Sequence, residues 1–383
     1  MTRRVYLDWN ATAPLRPEAR AAMIAAMDVV GNPSSVHAEG RAAKGLVERA
    51  REEIAAAFGA TGGRVVFTSG ATEAAALALA GRGLHGAPIE HPCVLAHVTA
   101  DLPVDGRGQV RPVDPAVTAL QWANSETGIL QSPPPGVAVV DFVQAFGKLP
   151  LAFDWSGARA GLLSAHKIGG PKGVGALVLA EGEEVVPLLR GGGQELGSRA
   201  GTENVIGIAG FAAAAKAAVE DLARGLWEEV AERRDRLEEM LRDAAPEAVV
   251  IGADAPRLPN TLAIAVPGWK GETQVMQMDL AGFAVSAGSA CSSGKVRRSA
   301  VLAAMGFDDL AAASAIRISL GPTTREEEIA AFARAWALGY KRWRERRMQR
   351  TGQEAAGLAS VRHEGQDVTA APGGAGARKE ATQ

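Results

Sequence analysis

Short apolar runs that stop abruptly at polar or charged residues constrain this chain more than any other feature. Val137-Ala138-Val139-Val140 stops at Asp141, and Leu162-Leu163 stops at Ser164-Ala165-His166-Lys167. Val65-Val66-Phe67 runs into Thr68-Ser69-Gly70-Ala71-Thr72-Glu73, and Ala119-Leu120-Gln121-Trp122-Ala123 into Asn124-Ser125-Glu126-Thr127-Gly128. Such runs read as buried strands, and the stretches 17–27, 39–58, 74–80, 205–218 and 222–242 read as helices between and after them. In an α/β arrangement of this kind ligands meet the chain at the strand ends. A length of 383 residues exceeds what one core organises and points to two domains, with a junction at Pro256-Arg257-Leu258-Pro259-Asn260.

Each strand end carries a chemical option beside a structural one. Lys167, between an apolar run and the glycine-rich turn Gly169-Gly170-Pro171-Lys172-Gly173, is either a carbonyl trap or a strand-end lysine reaching solvent. The segment Ser69 to Glu73 opens an alanine-rich helix. Its amides and the Ser69 and Thr72 hydroxyls form a phosphate cup in outline, or a capping arrangement with no ligand. Asp141, with Gln144 three residues on, needs a partner: a protonated pyridine nitrogen or a buried cation. His91, between Glu90 and Pro92, is a structural histidine when taken alone. Arg317, inside the apolar run Ile316-Arg317-Ile318, answers a carboxylate, because an unpaired buried guanidinium is expensive.

Two cysteines cannot build a disulfide framework. Cys93 reads as a small buried hydrophobe without chemistry. Cys291 lies on the loop Gly288-Ser289-Ala290-Cys291-Ser292-Ser293-Gly294-Lys295, where Lys295, Arg297 and Arg298 favour a thiolate; it is a nucleophile or an inert exposed thiol. A net charge of −2 with 22% charged residues calls for neither nucleic acid nor a membrane surface. No uncharged apolar run reaches the roughly 18 residues of a membrane span. The paired Arg3-Arg4 lacks the apolar region of an export signal, so a cytoplasmic protein is expected.

Taken together and in order, these motifs resemble the cysteine desulfurase family of the class V aminotransferase fold. The resemblance runs from Val5 to about residue 329. It rests on Tyr6-Leu7-Asp8 with Asn10-Ala11-Thr12, Gly31-Asn32-Pro33-Ser34-Ser35, Thr68 to Glu73, Glu90-His91-Pro92, Ser164-Ala165-His166-Lys167, Gly191-Gly192-Gly193-Gln194-Glu195 and Gly288 to Ser293.

The resemblance implies a fold-type I pyridoxal-phosphate transferase of the α/β class, with a large domain (13–258) around a mostly parallel, seven-stranded-type sheet. A smaller α+β domain (1–12 and 259–348) carries the cysteine loop, and 349–383 forms a disordered tail. It implies that pyridoxal 5'-phosphate forms a Schiff base with Lys167, that Asp141 pairs with the pyridine nitrogen, that Gln144 and Asn124 contact the ring, and that His91 stacks on it. Ala71, Thr72, Ser164 and His166 would hold the phosphate, and Thr202 would reach the phosphate of a second subunit, making a homodimer. Arg317, Asn10 and His37 would bind the substrate, L-cysteine. Cys291 would take its sulfur as a persulfide, act as a transient iron–sulfur ligand, and pass sulfur to an acceptor protein such as an iron–sulfur scaffold; no resident metal is expected in the cofactor site. Selenocysteine lyase, another class V activity, and a weakened sulfur-relay homologue are the alternatives. This sequence departs from the family at Ser125, Trp9 and Pro322, and shows shortened segments at 81–91 and 128–140, where Gln131-Ser132-Pro133-Pro134-Pro135-Gly136 cannot form a helix.

Overall fold

The computed structural model describes residues 4–288 and 298–364, with side chains described to Gln349. Cys291 and its neighbours at 289–297, and the end of the tail from 365, lie outside the described residues. Two compact units result, Met1–Trp336 and Ala337–Gln383. The second contains the greater part of a helix, Glu326–Glu364, that begins in the first. It runs on through 349–364, where the sequence predicts a structureless tail. Within that unit Tyr340 stacks near Trp343, over which Arg347 lies.

In the first unit the main sheet has five strands, Arg64–Thr68, Gly175–Leu179, Ala160–Ser164, Val139–Asp141 and Ala119–Gln121, in that spatial order. All are parallel except Gly175–Leu179, which runs against both neighbours. A parallel pair, His85–Gly86 and Thr99–Ala100, continues the sheet through a bridge from His85 to Thr118. The expected seven-strand succession is therefore met by five hydrogen-bonded strands and this pair. Nearly every residue of the central strands is buried, which is why they read as unbroken apolar runs.

Helices cover the sheet. Ala38–Phe58 presents Val47, Ile54 and Phe58 to a core in which Phe58 meets Phe142 and Phe146 edge to face, each at 5.0 Å between ring centres. Helix Val205–Ala223, capped by Asn204 on the Gly207 amide, is rich enough in alanine and glycine to come close to Pro17–Met27. A Cβ at Gly210 would stand 2.6 Å from Met23.

A second sheet, Ser286–Ala287, Ala315–Ser319, Thr261–Ala265 and Val249–Val250, is antiparallel throughout. Strand Val5–Tyr6 pairs beside it with Phe283–Ala284, and Asp8 bridges to Ser319. The N-terminal loop at 8–14 is thereby carried across to the end of the main sheet.

Trp9, one of the departures, has a local explanation. Its indole occupies the space a side chain at position 321 would need: a Cβ at Gly321 would fall 2.1 Å from the ring. Gly321→Ala is therefore expected to cost about 1–3 kcal/mol by overpacking, read as a lowered Tm. An unchanged Tm would show that Trp9 moves freely. At the other departure, segment 128–140 has no helix. Gln131 instead ties it down, donating to the Gly108 carbonyl at 2.7 Å and accepting from the Val110 amide at 3.0 Å.

Candidate active site

Lys167 closes a single 3-10 turn, Ala165–Lys167, that follows buried strand Ala160–Ser164. The turn is held from outside. Arg16, ion-paired at 2.6 Å with Asp221 of helix Val205–Ala223, donates through Nε to the Ile168 carbonyl at 2.7 Å. The Lys167 ammonium donates to the carbonyls of Asn10 at 2.7 Å and Ala11 at 3.0 Å. Burial, and then the positive charge of Arg317, pull its pKa down to about 8, against the opposing pull of Asp141, Asp8 and Cys93. A useful fraction of this amine is thus unprotonated near neutral pH, as a carbonyl nucleophile requires.

Asp141 ends its strand in register with Leu162 of the neighbouring parallel strand. Its Oδ1 accepts the Val143 amide at 2.8 Å, and among the described residues it makes no ion pair. Desolvation raises its pKa, offset by that amide and by the charges of His91 and Lys167. Glu90 is buried nearby with neither oxygen hydrogen-bonded. Burial, and then the neighbouring Asp141, push its pKa well above the ordinary carboxylate range.

His91 caps the short helix Pro92–Leu95. Its Nδ1 accepts from the Cys93 amide at 3.2 Å and lies 2.9 Å from the Cys93 sulfur. An acceptor Nδ1 places the proton of the neutral ring on Nε2. Desolvation lowers the imidazole pKa, Asp141 opposing and Lys167 reinforcing. Cys93, read from sequence as inert, thus belongs to the site's wall: burial, and then Asp141, push its thiol up to about 12, while Thr72 interacts with it in the opposite sense. It is a neutral donor and no nucleophile.

Thr72 and Ala71 open helix Ala71–Leu79, whose N-cap Gly70 offers no side-chain cap. Glu73 turns back to accept the Ser69 amide at 2.7 Å and is paired with Arg199 at 2.8 Å. Thr72 remains exposed at this uncapped end. His166, its Nδ1 3.2 Å from the Thr12 hydroxyl, has its pKa lowered to about 4 by burial, Lys167 and Lys172, and so stays neutral.

Arg317 donates to Asp8 at 2.6 Å and to the Ser125 carbonyl at 2.9 Å. Among the described residues its Nε is buried with no partner. Asp8 in turn accepts from Ser286 at 2.8 Å, on the strand that leads into the cysteine loop.

Two expected ligand residues have no side-chain capacity to spare. Asn10 donates to Ser125 O and Thr261 Oγ1 and accepts from Lys148 and Asn260; what it offers the site is its backbone carbonyl. Asn124 donates to Ile89 O and Gln121 and accepts from the amides of Glu126 and Thr127 and the Thr127 hydroxyl, pinning the turn after its strand. Gln144 is buried and donates to the Asn10 carbonyl, and Ser164 is buried at the end of its strand. His37 and Thr202 are not brought in. His37 caps helix Ala38–Phe58 on the surface and pairs with Glu39, and Thr202 is exposed on a loop.

The model of the class V aminotransferase family matches residues 5–93 and 113–332. The chain belongs to that family. A cysteine desulfurase of Cereibacter sphaeroides is 40% identical over 364 residues, covering 85% of this chain and 93% of its own length. The crystal structure of a NifS-like protein from Rickettsia africae superposes with a TM-score of 0.80 at 30% identity, over 88% of this chain and 100% of that one. A structure of SspA in complex with cysteine gives 0.68 at 27% identity, over 84% and 100%.

Class V aminotransferases depend on pyridoxal 5'-phosphate. The residues present fit that group. An uncapped helix start with Thr72 suits the phosphate, a strand-end carboxylate with no cationic partner suits a protonated ring nitrogen, and a desolvated amine suits the aldehyde. Asp141→Asn, which removes the anion and keeps the shape, is expected to weaken cofactor binding by about 10-fold or more, on the order of a charge-assisted hydrogen bond. An absorbance titration measures it, and unchanged affinity would separate Asp141 from the ring.

Proposed function

We propose that this protein is a cysteine desulfurase, converting L-cysteine to L-alanine and holding the sulfur as a persulfide on Cys291. The observation that carries this reading is that the Lys167 amine lies within electrostatic reach of Arg317, whose buried Nε lacks a partner among the described residues. One group serves carbonyl chemistry on an amine, and the other suits an α-carboxylate. The relatives named cysteine desulfurase and the cysteine complex of SspA agree with this choice of substrate.

Bound with its aldehyde at Lys167, pyridoxal phosphate supplies an electron sink for a carbanion at the substrate's Cα. Asp141 keeps a proton on the ring nitrogen and so maintains that sink. Thr72, the amide of Ala71, Ser164 and His166 would hold the phosphate, and Gln144 would meet the ring oxygen. His91, its Nδ1 accepting the Cys93 amide, would present its ring to the cofactor with the proton on Nε2. The Lys167 amine, once free, moves the Cα proton, a task to which its lowered pKa is matched. Arg317 orients the carboxylate, releasing part of its hold on Asp8 as it does so. The thiol of Cys291 takes the substrate's sulfur. Cysteine and thiol become alanine and persulfide with no external oxidant or reductant, and the persulfide passes to an acceptor such as an iron–sulfur scaffold protein.

A homodimer fits the exposed apolar side chains Leu188, Leu189 and Leu196 of the loop that precedes Thr202. A cytoplasmic site accords with the finding that, among the described residues, no helix is long and apolar enough to cross a membrane.

Purified protein reconstituted with pyridoxal phosphate is expected to release alanine and reductant-labile sulfide from L-cysteine in equal amounts, while Cys291→Ser loses sulfide release. Wild-type protein that forms alanine only from selenocysteine, or only transaminates, would replace this reading with another class V activity.

A further inference from the structure

Lys148 is a buried ionisable group that the chemistry above leaves unused. Its residue is 2% exposed, just after Gly147, whose φ of 71° turns the chain inward. Its Nζ donates to Gln144 Oε1 at 2.7 Å and to Asn10 Oδ1 at 3.1 Å, and among the described residues no carboxylate pairs with it. The charged groups that bear on it, Lys167 and Arg317, are both positive. They add to burial in pushing its pKa well below the ordinary lysine value. Both hydrogen bonds that the side chain donates go to amide oxygens.

The consequence falls on Gln144. Its Oε1 is held by Lys148, and its Nε2 donates one N–H to the Asn10 carbonyl at 3.0 Å. Flipping the amide would set its oxygen against that carbonyl, acceptor to acceptor. The same Asn10 carbonyl accepts from Lys167. Lys148, Gln144, Asn10 and Lys167 thus form one chain of donors and acceptors, in which the second N–H of Gln144 has no partner among the described residues.

We propose that Lys148 is a positioning residue of the cofactor pocket, locking the Gln144 amide so that its free N–H serves the ring oxygen of pyridoxal phosphate while Asn10 is held beneath Lys167. This rests on reading the pocket as a pyridoxal-phosphate site. Asn10 Oδ1 keeps Asn260 as a donor without Lys148, whereas Gln144 Oε1 keeps none, so the effect runs through Gln144.

The test is a double-mutant cycle on the dissociation constant for pyridoxal phosphate, using the full chain and absorbance titration with wild type, Lys148→Met, Gln144→Ala and the double variant. Lys148→Met is expected to weaken binding about 10-fold in the wild-type background and less than about 2-fold in the Gln144→Ala background, since the two act as one interaction. It should also shift the visible absorbance of bound cofactor in the direction that Gln144→Ala does. Equal losses in both backgrounds, or unchanged affinity with a lowered Tm, would make Lys148 a packing residue and overturn the proposal. Lys148→Gln is read by the same criteria if the methionine variant does not fold. Failure of wild type itself to bind the cofactor would sink the pocket assignment and this inference with it; binding by wild type without coupling sinks this inference alone.

Discussion

Lys167→Met is expected to lower cysteine turnover by about 10³-fold or more, because it removes both the cofactor's covalent anchor and the group that moves the Cα proton. It also carries a pH signature in the cofactor-free protein. The amine titrates near 8 when folded, against its ordinary 10.5. The unfolded chain therefore binds this proton more tightly, and the folded state bears the full cost of the buried charge below pH 8. Between about pH 8 and 10.5 the folded amine is neutral while the unfolded one is still charged, so wild-type stability rises with pH across that window. Methionine has no such proton. The stability difference between the two proteins should move in wild type's favour by about 2–3 kcal/mol from pH 7 to pH 10.5. Urea unfolding at the two pH values measures it, and a constant difference would mean that Lys167 is not desolvated.

The second large effect is expected at Arg317. Its ion pair with Asp8 is mostly buried, with side-chain exposures of 13% and 15%. Removing one partner strands the other charge, a loss of about 3–5 kcal/mol in comparable pairs. Arg317→Met should therefore lower stability by that order, and Asp8→Asn combined with it should recover part of the loss. In whichever of these variants folds, the KM for cysteine should rise by about 100-fold, with a smaller change in kcat, if the guanidinium holds the carboxylate in ground and transition states alike. A stability loss with KM unchanged would leave Arg317 a purely structural partner of Asp8.

The strand ends were the legible part of this chain. Asp141, Lys167 and the start of helix Ala71–Leu79 announce themselves because an apolar run gives way there to a group that burial would otherwise penalise. Helix Pro17–Met27 is readable to its boundaries because Pro17 suits a first helical turn. The reversed direction of strand Gly175–Leu179 depends on pairings with Arg64–Thr68 and Ala160–Ser164 that no local pattern encodes. The amide hubs escaped for a similar reason. Asn10 and Asn124 look like ligand donors until their partners, hundreds of residues away for Asn10, are seen to consume them. Lys148 had a signal that could have been used: a lysine four residues after Gln144, set between Gly147 and Leu149 in an apolar stretch, has nowhere solvated to go. His37, expected at the substrate, and Thr202, expected at a second subunit's phosphate, both lie on the surface of the single chain.

The most direct test of the account is to trap the covalent bond it places at Lys167. Wild-type protein with pyridoxal phosphate, reduced by borohydride, digested and sequenced by mass spectrometry, should carry the phosphopyridoxyl group on Lys167. The same label on Lys148, or on neither lysine, would contradict it.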